Sequence, residues 1–178
     1  MKKILPILIT TLSLASGAQA VEWNLSPLVP SDDIDQPTAI EHRSIRIGPT
    51  IQIAILLDTS NSMDGLIAQA KTKIWSIVNE LSDANLNHKH ARIQVALMEY
   101  GNNDNPKYKG YVRRISHFTS DLDGVSEKLF SLDTNGGQEY AGRVINDSLK
   151  QLRWSSHEDD LKVIIIAGNE SFEQGNID

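Results

Sequence analysis

Apolar residues recur along this chain with two different periods. Ile51 to Leu57 is a short, β-branched-rich apolar run, the pattern of a strand buried on both faces. Arg92 to Met98 predicts a second strand, and Lys162 to Ala167 a fourth, the most apolar of all. The third, Tyr111 to Phe118, carries Arg113, Arg114 and His117, a charge load that suits an edge position. Between the strands the spacing becomes helical. A helix from near Asp64 places Leu66, Ile67, Ala70, Ile74, Ile77, Val78 and Leu81 on one stripe. A second, from about Asp121, aligns Leu122, Val125 and Leu129, and a third, Gln138 to Arg153, aligns Ala141, Val144, Ile145, Leu149 and Leu152. Asn79 to His90 and the Asn-rich stretch Gly101 to Gly110 read as a turn and a loop.

Strand, helix, strand, hairpin, two helices, strand is an α/β plan with a mostly parallel central sheet flanked by helices. The short connection between the second and third strands predicts an antiparallel pair, because a parallel return needs a crossover of about a dozen residues or more. The fourth strand is apolar enough for the middle of a sheet, yet only eleven residues follow Ala167. The expectation is an exposed hydrophobic edge and a domain lacking C-terminal strands.

The N-terminal region departs from this pattern. Lys2 and Lys3 precede an apolar run from Ile4 to Leu14, and Ala18 and Ala20 supply small residues at a cleavage site. Residues 1–20 therefore read as a secretory signal peptide, too short an apolar run for a bilayer span of about 20 residues, and predict export to the periplasm or beyond. Residues 21–48, punctuated by Pro27, Pro30 and Pro37, form a lead-in segment, and residues 49–178 the domain. No second run of spanning length follows the leader. The absence of cysteine excludes disulfide frameworks, thiolate metal sites and cysteine nucleophiles. Loss of Lys2 and Lys3 with the leader takes the net charge from −6 to −8, no footprint for nucleic acid.

Ligands of open α/β sheets bind outside the carboxyl ends of the strands, where strand order reverses. Asp58, Ser60 and Ser62 stand there, three hard oxygen donors on alternate positions of one loop. Two readings are open. Ser62 could cap the following helix with Asp64 in its first turn, or the three residues could hold a divalent cation. Placement after a buried first strand favours the cation.

The run from Ile53 into Asp58, Thr59, Ser60, Asn61, Ser62 and Met63 resembles the start of a von Willebrand factor type A (vWA) domain, a Rossmann-like fold, and the likeness extends from about Thr50 to Asn169. The resemblance implies a metal-ion-dependent adhesion site holding Mg2+, or Mn2+ or Ca2+, with Asp58, Ser60 and Ser62 as ligands and Thr134, before Gly136 and Gly137, as a further one. For Thr134 a plain turn role is the competing reading. Glu139 stands where some bacterial members place an acid and is a weaker candidate. The family usually ends its fourth strand in Thr-Asp-Gly; here Ala167, Gly168, Asn169 and Glu170 occupy that place, so Asn169 or Glu170 would have to substitute for the missing Asp. The resemblance also implies two more strands with their helices, and a function in binding: the cation accepts a carboxylate from a partner protein.

Catalysis lacks its usual marks. Haloacid dehalogenase-like phosphatases need a second acid two residues after the strand-end Asp, where this chain has Ser60; neither serine sits in a Gly-x-Ser-x-Gly elbow, and no phosphate loop with its Lys occurs. A metal-dependent hydrolase of phosphatase type and a fragment that needs a partner to cover its last strand remain the alternatives. His88 and His90 read as a solvated loop, Trp75 and Trp154 as helix packing residues, and the basic stretch Lys107 to Arg114 as a solvated face.

Overall fold

The computed structural model describes residues 7–13, 48–83, 85–86 and 89–169. Seven strands are present among them: β1 (Ile7–Ser13), β2 (Thr50–Asp58), β3 (Asn85–Leu86), β4 (Lys89–His90), β5 (Arg92–Tyr100), β6 (Arg113–Thr119) and β7 (Leu161–Gly168). The helices are α1 (Ile67–Ser82), α2 (Leu122–Ser131) and α3 (Ala141–Gln151). β3 and β4 form a two-residue antiparallel ladder at the turn after α1. The other five strands make one sheet in the order β1-β7-β2-β5-β6. All pairings in it are parallel except β5 with β6, so the α/β class and the antiparallel edge strand stand as the hydrophobic pattern predicts.

The continuous apolar runs become two cores because a strand sends successive side chains to opposite faces. Ile51, Ile53, Ile55 and Leu57 of β2 join Val95, Leu97, Val163 and Ile165 on one face, under Ala70, Ile74 and Val78 of α1 and Val125 and Leu129 of α2. Ala54, Leu56, Ala96, Met98, Ile164 and Ile166 face the other way, under Ala141 and Val144 of α3. All nine residues of β2 are buried, which makes it the axis of the domain. β6 exposes Arg113 and Arg114 at the edge.

Several boundaries differ from the sequence expectation. α1 begins at Ile67, not near Asp64, because Gly65 takes a φ of 79°, which a right-handed helix excludes; a short 3-10 turn, Asn61–Met63, comes before it. α3 begins at Ala141 because Gly136 and Gly137, with φ of 37° and 125°, hold the preceding segment out of the helix. Trp154 lies beyond the end of α3, where its ring packs edge-on against Phe118 at 4.7 Å and its Nε1 donates to the Ser148 carbonyl at 3.0 Å. The turn between α1 and β5 is not wholly irregular, since Asn79 to Ser82 continue the helix.

The expected bare edge is also corrected. β7 lies between β2 and β1, with Ile7 opposite Lys162 and Ser13 opposite Gly168. A parallel partner for β7 needs only a strand with enough chain to return, and the 37 positions from Ser13 to Thr50 supply it. The strand comes from the segment read as the apolar part of a leader. Residues 14–47 and Glu170 onward lie outside the described residues, among them the cleavage site and most of the lead-in.

Candidate functional site

β2 delivers Asp58 to its carboxyl end beside β7, at the point where chain order reverses: β5 follows β2 on one side and β7 joins on the other. The loop after it stays irregular for one turn. Ser60 N donates to Asp58 Oδ1 at 2.9 Å, folding the backbone over the carboxylate. Thr59 points away, with its N–H donating to the Tyr100 carbonyl at 2.9 Å, and Asn61 accepts through Oδ1 from the N–H of Gly136. The alternation expected of this loop is therefore present.

Ser62 Oγ is the hub. It lies 2.8 Å from Ser60 Oγ, 3.0 Å from Glu139 Oε1 and 2.9 Å from Asn169 Oδ1. A hydroxyl has one proton, so Ser62 satisfies one of these two acceptors at a time. Asn169 is held by a second bond, from its Nδ2 to the Ser62 carbonyl at 2.9 Å. The capping alternative for Ser62 is not realised. It lies inside the 3-10 turn, and the caps of that turn and of α1 carry no side-chain hydrogen bond.

Asp58, Ser60, Ser62, Glu139 and Asn169 thus meet at one place, and Glu139, the weaker expectation, is central. Thr134 is placed differently: its hydroxyl donates to Asp64 Oδ1. Glu170 lies outside the described residues.

Both carboxylates are sequestered. Asp58 is fully buried and Glu139 is 7% exposed. Asp58 Oδ2 and Glu139 Oε2 have no hydrogen-bond partner among the described residues, an arrangement that buried polar atoms rarely keep. Burial, helped by the nearby charge of Glu139 and opposed by the Ser60 hydrogen bonds, pushes the Asp58 carboxyl up to about 7.

Sequence reasoning missed two neighbours. Tyr100, the last residue of β5, is buried beside the pair, and burial followed by the charges of Asp58 and Glu139 raises its phenol well above the usual range. Gly101 has a φ of 80°, and a Cβ there would stand 2.8 Å from Asp58 Oδ1, 3.1 Å from Glu139 Cγ and 3.2 Å from Ser60 Cβ. Only glycine lets the strand turn there with both acids drawn in. Across from it a Cβ on Gly137 would overlap the Gly101 carbonyl oxygen, so the two loops touch backbone to backbone. The signal for Gly101 lay in its place at the head of an Asn-rich loop, which the hydrophobic pattern reads simply as a turn.

The donor set is two carboxylates, two hydroxyls and an amide oxygen, all hard ligands, and two of the carboxylate oxygens lack hydrogen-bond partners among the described residues. That chemistry fits Mg2+, Mn2+ or Ca2+. Among the described residues no group of three or more His, Asp and Glu side chains gathers to hold a metal, so a cation here would rest on few charges.

No protein-family model matches the chain, and no curated protein does. Solved structures similar to it include the vWF domain of the type V pili tip protein Mfa5 from Porphyromonas gingivalis, at 17% identity and a TM-score of 0.43 over 58% of this chain and 33% of that one. The pilus adhesin SpaC from Lactobacillus rhamnosus GG, in an open conformation, is similar at 16% identity and a TM-score of 0.47 over 68% of this chain and 15% of that one. The chain spans a third or less of the length of these structures.

Proposed function

We propose that this protein is an exported, vWA-type binding module in which Asp58, Ser60, Ser62 and Glu139 hold a divalent cation, Mg2+ or else Mn2+ or Ca2+, and the cation takes a carboxylate from a protein partner. The observation that carries the reading is the pair of buried carboxylate oxygens, Asp58 Oδ2 and Glu139 Oε2, left without hydrogen-bond partners among the described residues. Two such groups side by side in a dry place cost free energy unless a proton or a cation lies between them. Asn169 stands at the end of β7 in place of the family's Asp and contributes a neutral oxygen. Thr134, whose hydroxyl donates to Asp64, would have to release that bond to join the set. With two carboxylates and otherwise neutral oxygens in the ligand set, the ion would take an outside carboxylate as a further ligand, which suits adhesion rather than turnover.

The test is a thermal melt of the full chain with magnesium, manganese or calcium and then with chelator. A cation that binds only the folded state stabilises it by about 2.7 kcal/mol at a hundredfold excess over its dissociation constant. The midpoint is expected to rise for the wild type and not for Asp58→Ala. A wild-type midpoint indifferent to all three ions would refute the reading.

A further inference from the structure

The basic stretch that reads as a solvated face is folded into a concavity. Because β6 runs antiparallel to β5, Arg113 and Arg114 lie opposite Glu99 and Met98, at the same end of the sheet as Asp58. Together with Tyr108, Lys109, Arg143 and Asp147 they line a hollow of about 430 Å³. Four cations meet one carboxylate there, and that carboxylate, Asp147, stands 3.9 Å from Arg143. Arg113 is engaged, its Nε donating to the buried Glu99 Oε1 at 2.6 Å. Lys109 lies over the Tyr108 ring, 5.8 Å from its centre, and neither it nor Arg114 has a carboxylate within 4.0 Å among the described residues. A chain with a net charge of −6 gathers uncompensated positive charge at this spot.

Residues shortly after Glu139 contact the loop that lines the hollow. Tyr140, next to Glu139, stacks on Tyr111 with ring centres 6.4 Å apart. Arg143, four residues after Glu139, donates from Nη2 to the Tyr108 carbonyl at 3.2 Å, latching the loop to α3. Tyr108 itself is 79% exposed, an aromatic surface free for contact.

We infer that this hollow is the second anchor of the partner: an acidic polypeptide segment places one carboxylate on the cation and neighbouring ones on Lys109, Arg114 and Arg143, with an apolar side chain against Tyr108. The inference rests on the cation-site reading for its first anchor. A polypeptide suits the surface better than a long polyanion. The hollow gathers four cations on a chain of net charge −6, whereas a nucleic acid needs a basic track. Buried aromatic and arginine contacts are the usual anchors of protein interfaces.

The probe is a fluorescein-labelled peptide of alternating glutamate and glycine, titrated against the full chain by fluorescence anisotropy, with magnesium and with chelator. Wild type is expected to bind, more weakly in chelator and in higher salt. Lys109→Glu with Arg114→Glu is expected to weaken binding about tenfold, the scale of two rim charges reversed, while the magnesium shift in melting midpoint stays intact. The milder pair Lys109→Gln and Arg114→Gln is expected to lose a smaller part, which separates lost charge from a disturbed fold. Binding by the charge-reversed chain equal to wild type overturns the proposal, as does no binding by wild type. Equal binding of an oligodeoxythymidylate of the same charge overturns the choice of a polypeptide. Loss of the magnesium shift in wild type would instead strike the cation-site reading, and the two failures are read on separate instruments.

Discussion

Asp58 is held where its charge is poorly tolerated, and this gives the domain an unusual dependence on pH. Its carboxyl lies at about 7 in the folded protein against 3.8 in the unfolded chain, mainly through burial. The folded state therefore holds this proton more tightly, and the contribution runs opposite to the usual carboxylate case. The stabilisation from protonating Asp58 is fully present below about 4 and is lost as pH rises through about 7. The sign is expected to appear as a difference: in chelator, wild type loses midpoint relative to Asp58→Asn between pH 4 and 8. Magnesium should remove that loss at the alkaline end, since a cation replaces the proton. Parallel pH profiles for the two proteins in chelator would show that Asp58 does not titrate in this range. The neighbouring role of Glu139 was only weakly legible, because a single acid after two glycines has no periodicity to mark it. Its importance comes from a backbone path, with Gly101 and Gly137 in contact, that no local pattern encodes.

Among the elements, α1 shows how a helix can be read correctly and still conceal a residue. The stripe through Ala70, Ile74, Ile77 and Val78 is buried as the spacing predicts. Lys71, one position off that stripe, is also buried, at 5% exposure, and burial lowers its ammonium from the usual range. Its Nζ donates to the carbonyls of Phe130, at 3.1 Å, and Leu132. These belong to the end of α2, where the last carbonyls of a helix have no partner of their own. A cation at a helix C-terminus also meets the favourable end of the dipole. Lys71→Met keeps the apolar stem and removes the donor, so it is expected to destabilise the domain by about 1–3 kcal/mol in urea unfolding, with the magnesium shift unchanged. A midpoint equal to wild type would mean that water serves those carbonyls as well. The opposite end of α2 starts where the spacing puts it, and there Asp121 accepts from Gly124 N at 3.0 Å as its cap.

At the scale of the whole molecule the strand β1 stands between two roles. Its seven residues complete the sheet beside β7, and they are also the centre of the expected signal peptide. If export removes residues 1–20, the outer edge of β7 loses its neighbour and presents unpaired backbone beside a strand whose residues 162–167 are all buried. Residues 21–178 are therefore expected to melt lower than the full chain and to associate with rising concentration, as sedimentation would show. Equal melting with no association would mean that another part of the chain covers β7. The sequence by itself determined the strands at 51–57, 92–98 and 162–167, the helical stripes between them, the antiparallel edge and the Asp58–Ser60–Ser62 loop, because each is written in a local period of two or 3.6 residues or in a short contiguous motif. The tertiary structure alone decided that Glu139 and Asn169 meet Ser62, that Thr134 turns to Asp64, that Lys71 is buried, and that the charges from Lys109 to Arg143 gather in one hollow. These contacts join residues tens of positions apart, and their geometry depends on how the loops fold over the end of the sheet, which no local spacing records.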